Sequence, residues 1–353
     1  VDRPAQLSLQ PGDFILSENT LAFGVVGCGQ IGRRHLSAIQ QEPGASVSAI
    51  CDVDDAALAR AEEALPGIAA YRDPDALLAD DAVDIVSICT PHSSHATLAI
   101  AAARAGKHVL VEKPMALDQT QAQAMIKAAN EHGVQLVVVK QNRFNAPVRL
   151  VHEALSANRL GRIRMVQCNV FWNRYPGYYA HSPWRGTSEH EAGALHTQVS
   201  HFIDLLVWWL GPVSEARTII DTLHHDIEIE DCGVAAVRFE SGAIGSVNWS
   251  TTVYNVNFEG SITLIGEKGT IKIGGRYLNQ IEFWDVESYP EPALDGPPDA
   301  PNDYGDYLGS SANHGEIFRQ VTRHVIAARG GVVEGAEGIK TVAAIERIYE
   351  GSR

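Results

Sequence analysis

Residues 21–32 read Leu21-Ala22-Phe23-Gly24-Val25-Val26-Gly27-Cys28-Gly29-Gln30-Ile31-Gly32. An apolar run closes on G-x-G-x-x-G, the pattern of a buried parallel strand, a tight turn and a helix start. Gly27 permits the turn, Gly29 lets a pyrophosphate approach the backbone, and Gly32 lets helix and strand pack closely. The free amides of the helix start, around Gln30 and Ile31, then face the phosphates. A second strand-like run, 47–51, ends in Asp52, twenty residues after Gly32 (52 − 32 = 20). A carboxylate there accepts hydrogen bonds from a ribose diol and repels a 2′-phosphate, so NAD is expected over NADP.

Working outward, strand-like and helix-like segments alternate up to about Asn142. The runs 21–26, 47–51, 83–90, 108–111 and 135–139 are almost continuously apolar, as strands buried on both faces are. Helical segments at 31–41, 54–65, 94–105 and 118–132 separate them. Such alternation implies right-handed crossovers and a parallel sheet of the Rossmann type. Ligands of these sheets lie at the carboxyl ends of the strands. That edge carries Asp52, Thr90-Pro91-His92, Glu112-Lys113-Pro114 and Lys140-Gln141-Asn142-Arg143.

Beyond Asn145 the texture changes. A helix (147–158), a long strand (163–174), an aromatic tract (175–185) and a strongly apolar helix (194–210) precede several strands with turn signals between 213 and 285. The expectation is an α+β domain with one large, open, mainly antiparallel sheet. Residues 286–312, rich in Pro, Asp and Gly, read as a long surface loop. Two helices, 314–329 and 335–349, close the chain. The divisions are an arm (1–20), a dinucleotide-binding domain (21–142) and a substrate and oligomerisation domain (143–353), with the last helix packing back on the first sheet. The arm holds acids and prolines without an apolar signal core, and reads as packing on a neighbour.

The chain has 353 residues and a net charge of −15. That balance argues against general nucleic-acid or anionic-membrane binding, while leaving room for a local positive pocket. Five scattered cysteines without C-x-x-C imply reduced thiols in a cytoplasmic protein and no metal site. No apolar run approaches a membrane span.

Three features carry chemistry. Pro114 restricts Lys113 to an extended backbone at the ligand edge. Thr197, His201 and Asp204 share one face of an apolar helix, with His196 and Ser200 on a neighbouring face. The tract 172–187 mixes aromatic rings with Arg174 and Arg185, which suits a nucleotide or a sugar.

Together VGCGQIG, AICDVD, CTPHSSHA, VEKPMA and HFIDLL resemble the Gfo/Idh/MocA oxidoreductases. More narrowly, VVVKQNRFN, VQCNVFWNR, GALHTQVSHFIDLL and EGSITLIGEKGTIKIGG resemble bacterial UDP-sugar 3-dehydrogenases. The resemblance implies NAD-dependent oxidation of the 3-hydroxyl of UDP-N-acetylglucosamine or its uronate. The 3-keto product would pass to an aminotransferase on the way to diamino sugars of surface polysaccharide or lipid A. It further implies catalysis by Lys113 and His201 and cofactor contacts at Thr90, Pro91, His95, Glu112, Lys113 and Asn142. Substrate contacts follow at Arg143, Tyr178, Tyr179, Trp184, Arg185, Thr197 and Gln198. Arg143 and Arg185 supply guanidinium forks for the diphosphate. Thr197 stands where many members carry Asp, and Glu189-His190-Glu191-Ala192-Gly193 departs from the usual acidic-Gly-Gly run. Ordinary pKa values, roughly 6.5 for His and 10.4 for Lys, make His201 the easier base unless burial lowers Lys113. The competing readings are a dehydrogenase of a free sugar or inositol, and a non-catalytic NAD-binding regulator. A homo-oligomer, dimer or tetramer, is expected because an open sheet needs cover. Phe239, Val247, Trp249, Ile262 and Leu264 are the apolar positions expected on that face.

Overall fold

The computed structural model describes residues 20–294, 300–328 and 330–352. Residues 1–19 of the expected arm, and the expected helix end at Arg329, lie outside the described residues.

The first sheet is parallel. Its strands are β1 (Leu21–Val26), β2 (Ala45–Cys51), β3 (Ala69–Tyr71), β4 (Ile85–Ile88), β5 (His108–Val111) and β6 (Leu136–Val138), in the order β3-β2-β1-β4-β5-β6. Helices α1 (Gln30–Gln41), α2 (Asp55–Ala64), α3 (Pro74–Leu78), α4 (His95–Arg104) and α5 (Gln119–Glu131) provide the crossovers. The order reverses between β1 and β4, so a crevice opens where the glycine loop leaves β1.

The second sheet follows α6 (Ala146–Ser156). It comprises β7 (Ile163–Phe171) and, after α7 (Pro176–Ala180) and α8 (Ser200–Leu210), β8 (Val213–Asp221), β9 (Cys232–Phe239), β10 (Ile244–Ser250), β11 (Glu259–Gly266), β12 (Gly269–Gly274) and β13 (Gln280–Val286). The order is β13-β12-β11-β7-β10-β9-β8, and only the β7–β10 pair is parallel. The α/β class, with a parallel sheet followed by a mainly antiparallel one, is the class expected.

Phe239, Val247, Trp249, Ile262 and Leu264 correct the expectation placed on them. All five are buried in the second core, together with Phe202, Leu205 and Leu206 of α8. They line the inner face of the sheet, and the open face carries other residues.

Residues 286–312 are not simply a loop. A hairpin of β14 (Pro301–Asp303) and β15 (Leu308–Ser311) lies within them. Helix α9 (His314–Ala327) then seats Phe318 edge-on against Phe23 of β1. Helix α10 (Gly335–Glu350) joins both cores, with Val342 in the first and Ile345 and Ile348 in the second.

Candidate active site

A cleft of about 1090 Å³ runs along the carboxyl ends of β1, β2, β4 and β5, and is roofed by residues 172–185, 197–201 and the β14–β15 hairpin. That volume is at the upper end of small-molecule sites.

At one end the glycine loop is built for close approach. Gly27 has φ +95°, and a Cβ there would lie 2.7 Å from the Cys89 carbonyl. A Cβ on Gly32 would lie 1.8 Å from the Gly27 oxygen. Gly29, by contrast, has no atom within 4 Å of its Cβ position, and α1 has no side-chain cap. An open cradle and uncapped amides fit a pyrophosphate. Asp52 accepts from Cys28 N at 2.7 Å and from Asp54 N at 2.9 Å. Its carboxylate is thereby fixed in the wall of the cleft. These residues fit NAD.

Thr90 and Pro91 line the cleft. His95 braces their loop against the next one, its ring nitrogens 3.0 Å from Thr90 O and 2.8 Å from Pro114 O. Asn142 is turned away from the cleft, with its Oδ1 accepting from Ser310, and Gln141 lines the cleft in its place. Both residues lie on a short 3₁₀ turn, Gln141–Phe144.

At the reaction end, the Lys113 ammonium donates to Thr197 O at 2.8 Å. Burial pulls the Lys113 pKa down to about 8, although the neighbouring Glu112 carboxylate works against it. Glu112 is buried; it accepts from Lys113 N at 3.0 Å and meets His35 Nε2 at 3.0 Å and His314 Nε2 at 3.4 Å. These three side chains lie close enough to share a cation. Of the three, His35 is the one pushed toward the protonated form. Burial lowers its pKa, but Cys89 and Glu112 outweigh burial and raise it to about 10.

His201 lines the same end, and its buried Nδ1 has no hydrogen-bond partner among the described residues. Burial, then the Lys113 and Lys140 cations, push its pKa well below 6.5. Burial thus lowers both groups and brings Lys113 down to about 8, which is the condition under which the sequence leaves His201 without its advantage as a base. The helix start at Leu195–Val199 is wound as a π turn, and Thr197, Gln198 and His201 all reach the cleft. Such wide turns are frequent at functional sites.

At the substrate end, Arg185 stacks on Tyr178 at 4.1 Å, and Trp184 lines the wall beside His92. Arg174 lies over Trp172, Tyr178 and Tyr307 at 5.2–5.3 Å. Among the described residues their hydrogen bonds go to neutral oxygens: Asn173 O and Asn257 Oδ1 for Arg174, and Tyr178 O, Gln30 Oε1 and Tyr307 OH for Arg185. Each Nε is buried without a hydrogen-bond partner among the described residues. Gln198 Nε2 donates to Tyr178 OH at 3.2 Å. Tyr179 stands behind Tyr178 with its hydroxyl 3.3 Å from Thr251 Oγ1, so it supports the wall rather than lining it.

Arg143 does not stand at the cleft. Its Nε and Nη2 bond Asp204 at 2.7 and 2.9 Å, and its guanidinium lies 4.6 Å over Trp208. Its fork already holds a carboxylate, so it is not available to a diphosphate. Tyr304 and Tyr307 were missed, because the hairpin that carries them read as loop. The two tyrosines in an otherwise Pro- and Asp-rich stretch were the available signal.

Fold and cleft define a two-domain, NAD-dependent dehydrogenase acting on CH–OH. Residues 21–140 match the oxidoreductase family with an NAD-binding Rossmann fold, and residues 148–272 match the GFO/IDH/MocA C-terminal domain. The chain belongs to the Gfo/Idh/MocA family. It is similar to the WlbA dehydrogenase of Bordetella pertussis, solved with NADH and UDP-GlcNAcA, at 38% identity and TM-score 0.87 over 96% of this chain and 97% of that one. The Chromobacterium violaceum WlbA dehydrogenase, solved with the same two ligands, is 36% identical with TM-score 0.86 over 99% and 97%. A D-apiose dehydrogenase of Paraburkholderia graminis is 27% identical over 93% of this chain and 87% of its own length.

Proposed function

We propose that the chain oxidises the 3-hydroxyl of a UDP-N-acetylhexosamine, with the uronate as the favoured form. The observation that carries this reading is the pair Arg174 and Arg185. Both are cationic groups on aromatic faces in the cleft, and both have buried N–H groups without hydrogen-bond partners among the described residues. Guanidinium N–H groups left unpaired in a buried site call for a further anion, beside the Glu191 carboxylate that already attracts Arg185. Two guanidinium groups suit a ligand with two anionic groups, such as a diphosphate and a carboxylate. The UDP-GlcNAcA bound in both WlbA structures has that chemistry. The aromatic rings at 178, 184 and 307 offer flat contacts to a base and a sugar.

The bound NAD would accept the hydride from carbon 3, and Gly29, Gln30, Ile31 and Asp52 would hold its phosphates and ribose. The substrate hydroxyl lies between Lys113 and His201. Lys113, in its neutral form, takes the hydroxyl proton. His201 is a neutral imidazole that orients the hydroxyl without competing for the proton. Thr197 holds the lysine through its carbonyl and presents its hydroxyl, which now donates to Gly193 O at 3.2 Å, near the substrate.

NADH formation measured with UDP-GlcNAc uronate, UDP-GlcNAc, apiose and myo-inositol tests the reading. The highest kcat/KM is expected with the uronate. A free sugar or cyclitol used as efficiently as either UDP-sugar overturns it in favour of the activity named for the apiose relative.

A further inference from the structure

Gln30 is the first residue of α1, the helix whose uncapped N-terminus faces the cofactor phosphates. Its side chain reaches across the cleft. Gln30 Oε1 accepts from Tyr307 OH at 3.0 Å and from Arg185 Nη2 at 3.3 Å. Arg185 Nη2 also donates to Tyr307 OH at 3.1 Å. Three residues from three separate parts of the fold thus close a triangle of hydrogen bonds. The donors fix the amide orientation, since only the oxygen can accept from both. The Gln30 NH₂ is turned away from them and has no hydrogen-bond partner among the described residues, at the helix end where phosphates collect.

We propose that Gln30 is a positioning residue that couples the two ligand sites, so that NAD(H) bound at the helix start tightens the site for the substrate's diphosphate. This inference rests on the nucleotide-sugar reading above. The physical reason is preorganisation. Gln30, Arg185 and Tyr307 are all partly exposed, and each side chain loses rotamer freedom when a ligand fixes it. A phosphate on the Gln30 NH₂ freezes the amide. The frozen oxygen then holds Arg185 over the Tyr178 ring and Tyr307 at right angles to it, with ring centres 4.9 Å apart. The second ligand meets an arginine already in place. By linkage, that ligand must tighten NAD(H) by the same factor.

Titration calorimetry of UDP onto the full chain, with and without saturating NADH, tests this. NADH is expected to tighten UDP about fivefold or more. In Gln30→Ala that ratio is expected to fall to about one, with an unchanged melting temperature, while Tyr307→Phe, which keeps the ring and loses the hydroxyl, lowers it partly. The same ratio in Gln30→Ala as in the unsubstituted chain, or no NADH effect in the unsubstituted chain, overturns the coupling alone. Absence of UDP binding in both states overturns the coupling together with the nucleotide-sugar reading.

Discussion

The proposed reaction turns on Lys113 and His201, two residues whose ordinary pKa values would assign them the opposite roles. A free imidazole titrates near neutrality and a free amine well above it, yet burial in one cleft lowers both. Lys113 arrives at about 8, while His201 falls well below 6.5. A lysine at about 8 is neutral in roughly a tenth of molecules at neutral pH, which is enough to act as a base. The sign follows directly: the active form is the deprotonated amine, so kcat/KM should rise with pH and level off above about 8. A profile that rises and levels off near pH 6 would instead assign the base to His201. Lys113→Ala should lower turnover by about 10²-fold or more while NADH still binds, because the cofactor contacts proposed for Gly29 and Asp52 lie elsewhere. Asp52 has its own test. Asp52→Ala removes the carboxylate that repels a 2′-phosphate, so the ratio of kcat/KM with NAD to that with NADP should fall. Equal use of both cofactors by the unsubstituted protein would count against the ribose assignment.

Between elements, the strongest contacts are buried charges rather than catalytic groups. Asp204 of α8 takes Arg143 on both oxygens, Lys140 at 3.4 Å and Thr341 of α10 at 3.0 Å. These partners join the first sheet, α8 and α10. Burial raises the Asp204 pKa, but the two cations outweigh burial and bring it from 3.8 to about 2. A depressed carboxylate stabilises the fold above its ordinary pKa, and that contribution fades as pH falls toward 2. Asp204→Ala removes the carboxylate from the buried Lys140 and leaves Arg143 with Glu337 at 3.4 Å, and should cost about 3–5 kcal/mol in urea unfolding. Arg143→Ala should likewise lower stability and leave KM for a UDP-sugar nearly unchanged, whereas Arg185→Ala should raise that KM and leave the melting point alone. If Arg143→Ala raised KM with stability intact, its place in the network would be wrong. This contrast shows what a sequence conveys. Position 143 lies just after a strand end, which is correct, but the direction of its side chain depends on Asp204, 61 residues away. β1, β4 and β5 were legible because both faces are buried and the runs are apolar throughout. β3 was not, being three half-buried residues at an edge. Tyr307 was least legible of all, since its partner Gln30 stands 277 positions away.

For the molecule as a whole, the open face of the second sheet sets the remaining question. Apolar residues occur on both faces of its strands, so alternation alone could not say which set faces outward. The structure separates them. Met165 lies directly between Ile244 on β10 and Ile265 on β11, and the three are 45%, 44% and 40% exposed. Val234 and Ile219 form a second exposed cross-strand pair, and Phe283 adds a third apolar site on β13. Monomers rarely leave apolar groups adjacent over so wide a face. Polar neighbours such as Gln167, Asn248 and Thr263 share it, as they would in an interface that excludes water without being a core. A self-complementary contact through a two-fold axis covers such a face with a second copy of itself. The expectation is a dimer through this face, or a tetramer built on that dimer, by light scattering at micromolar concentration. Met165→Lys with Ile265→Lys would place like charges at the centre of the patch on both copies. That pair should shift the population toward monomer with the fold intact, because neither side chain enters the core. A monomeric unsubstituted protein, or an oligomer indifferent to both lysines, would move the interface elsewhere.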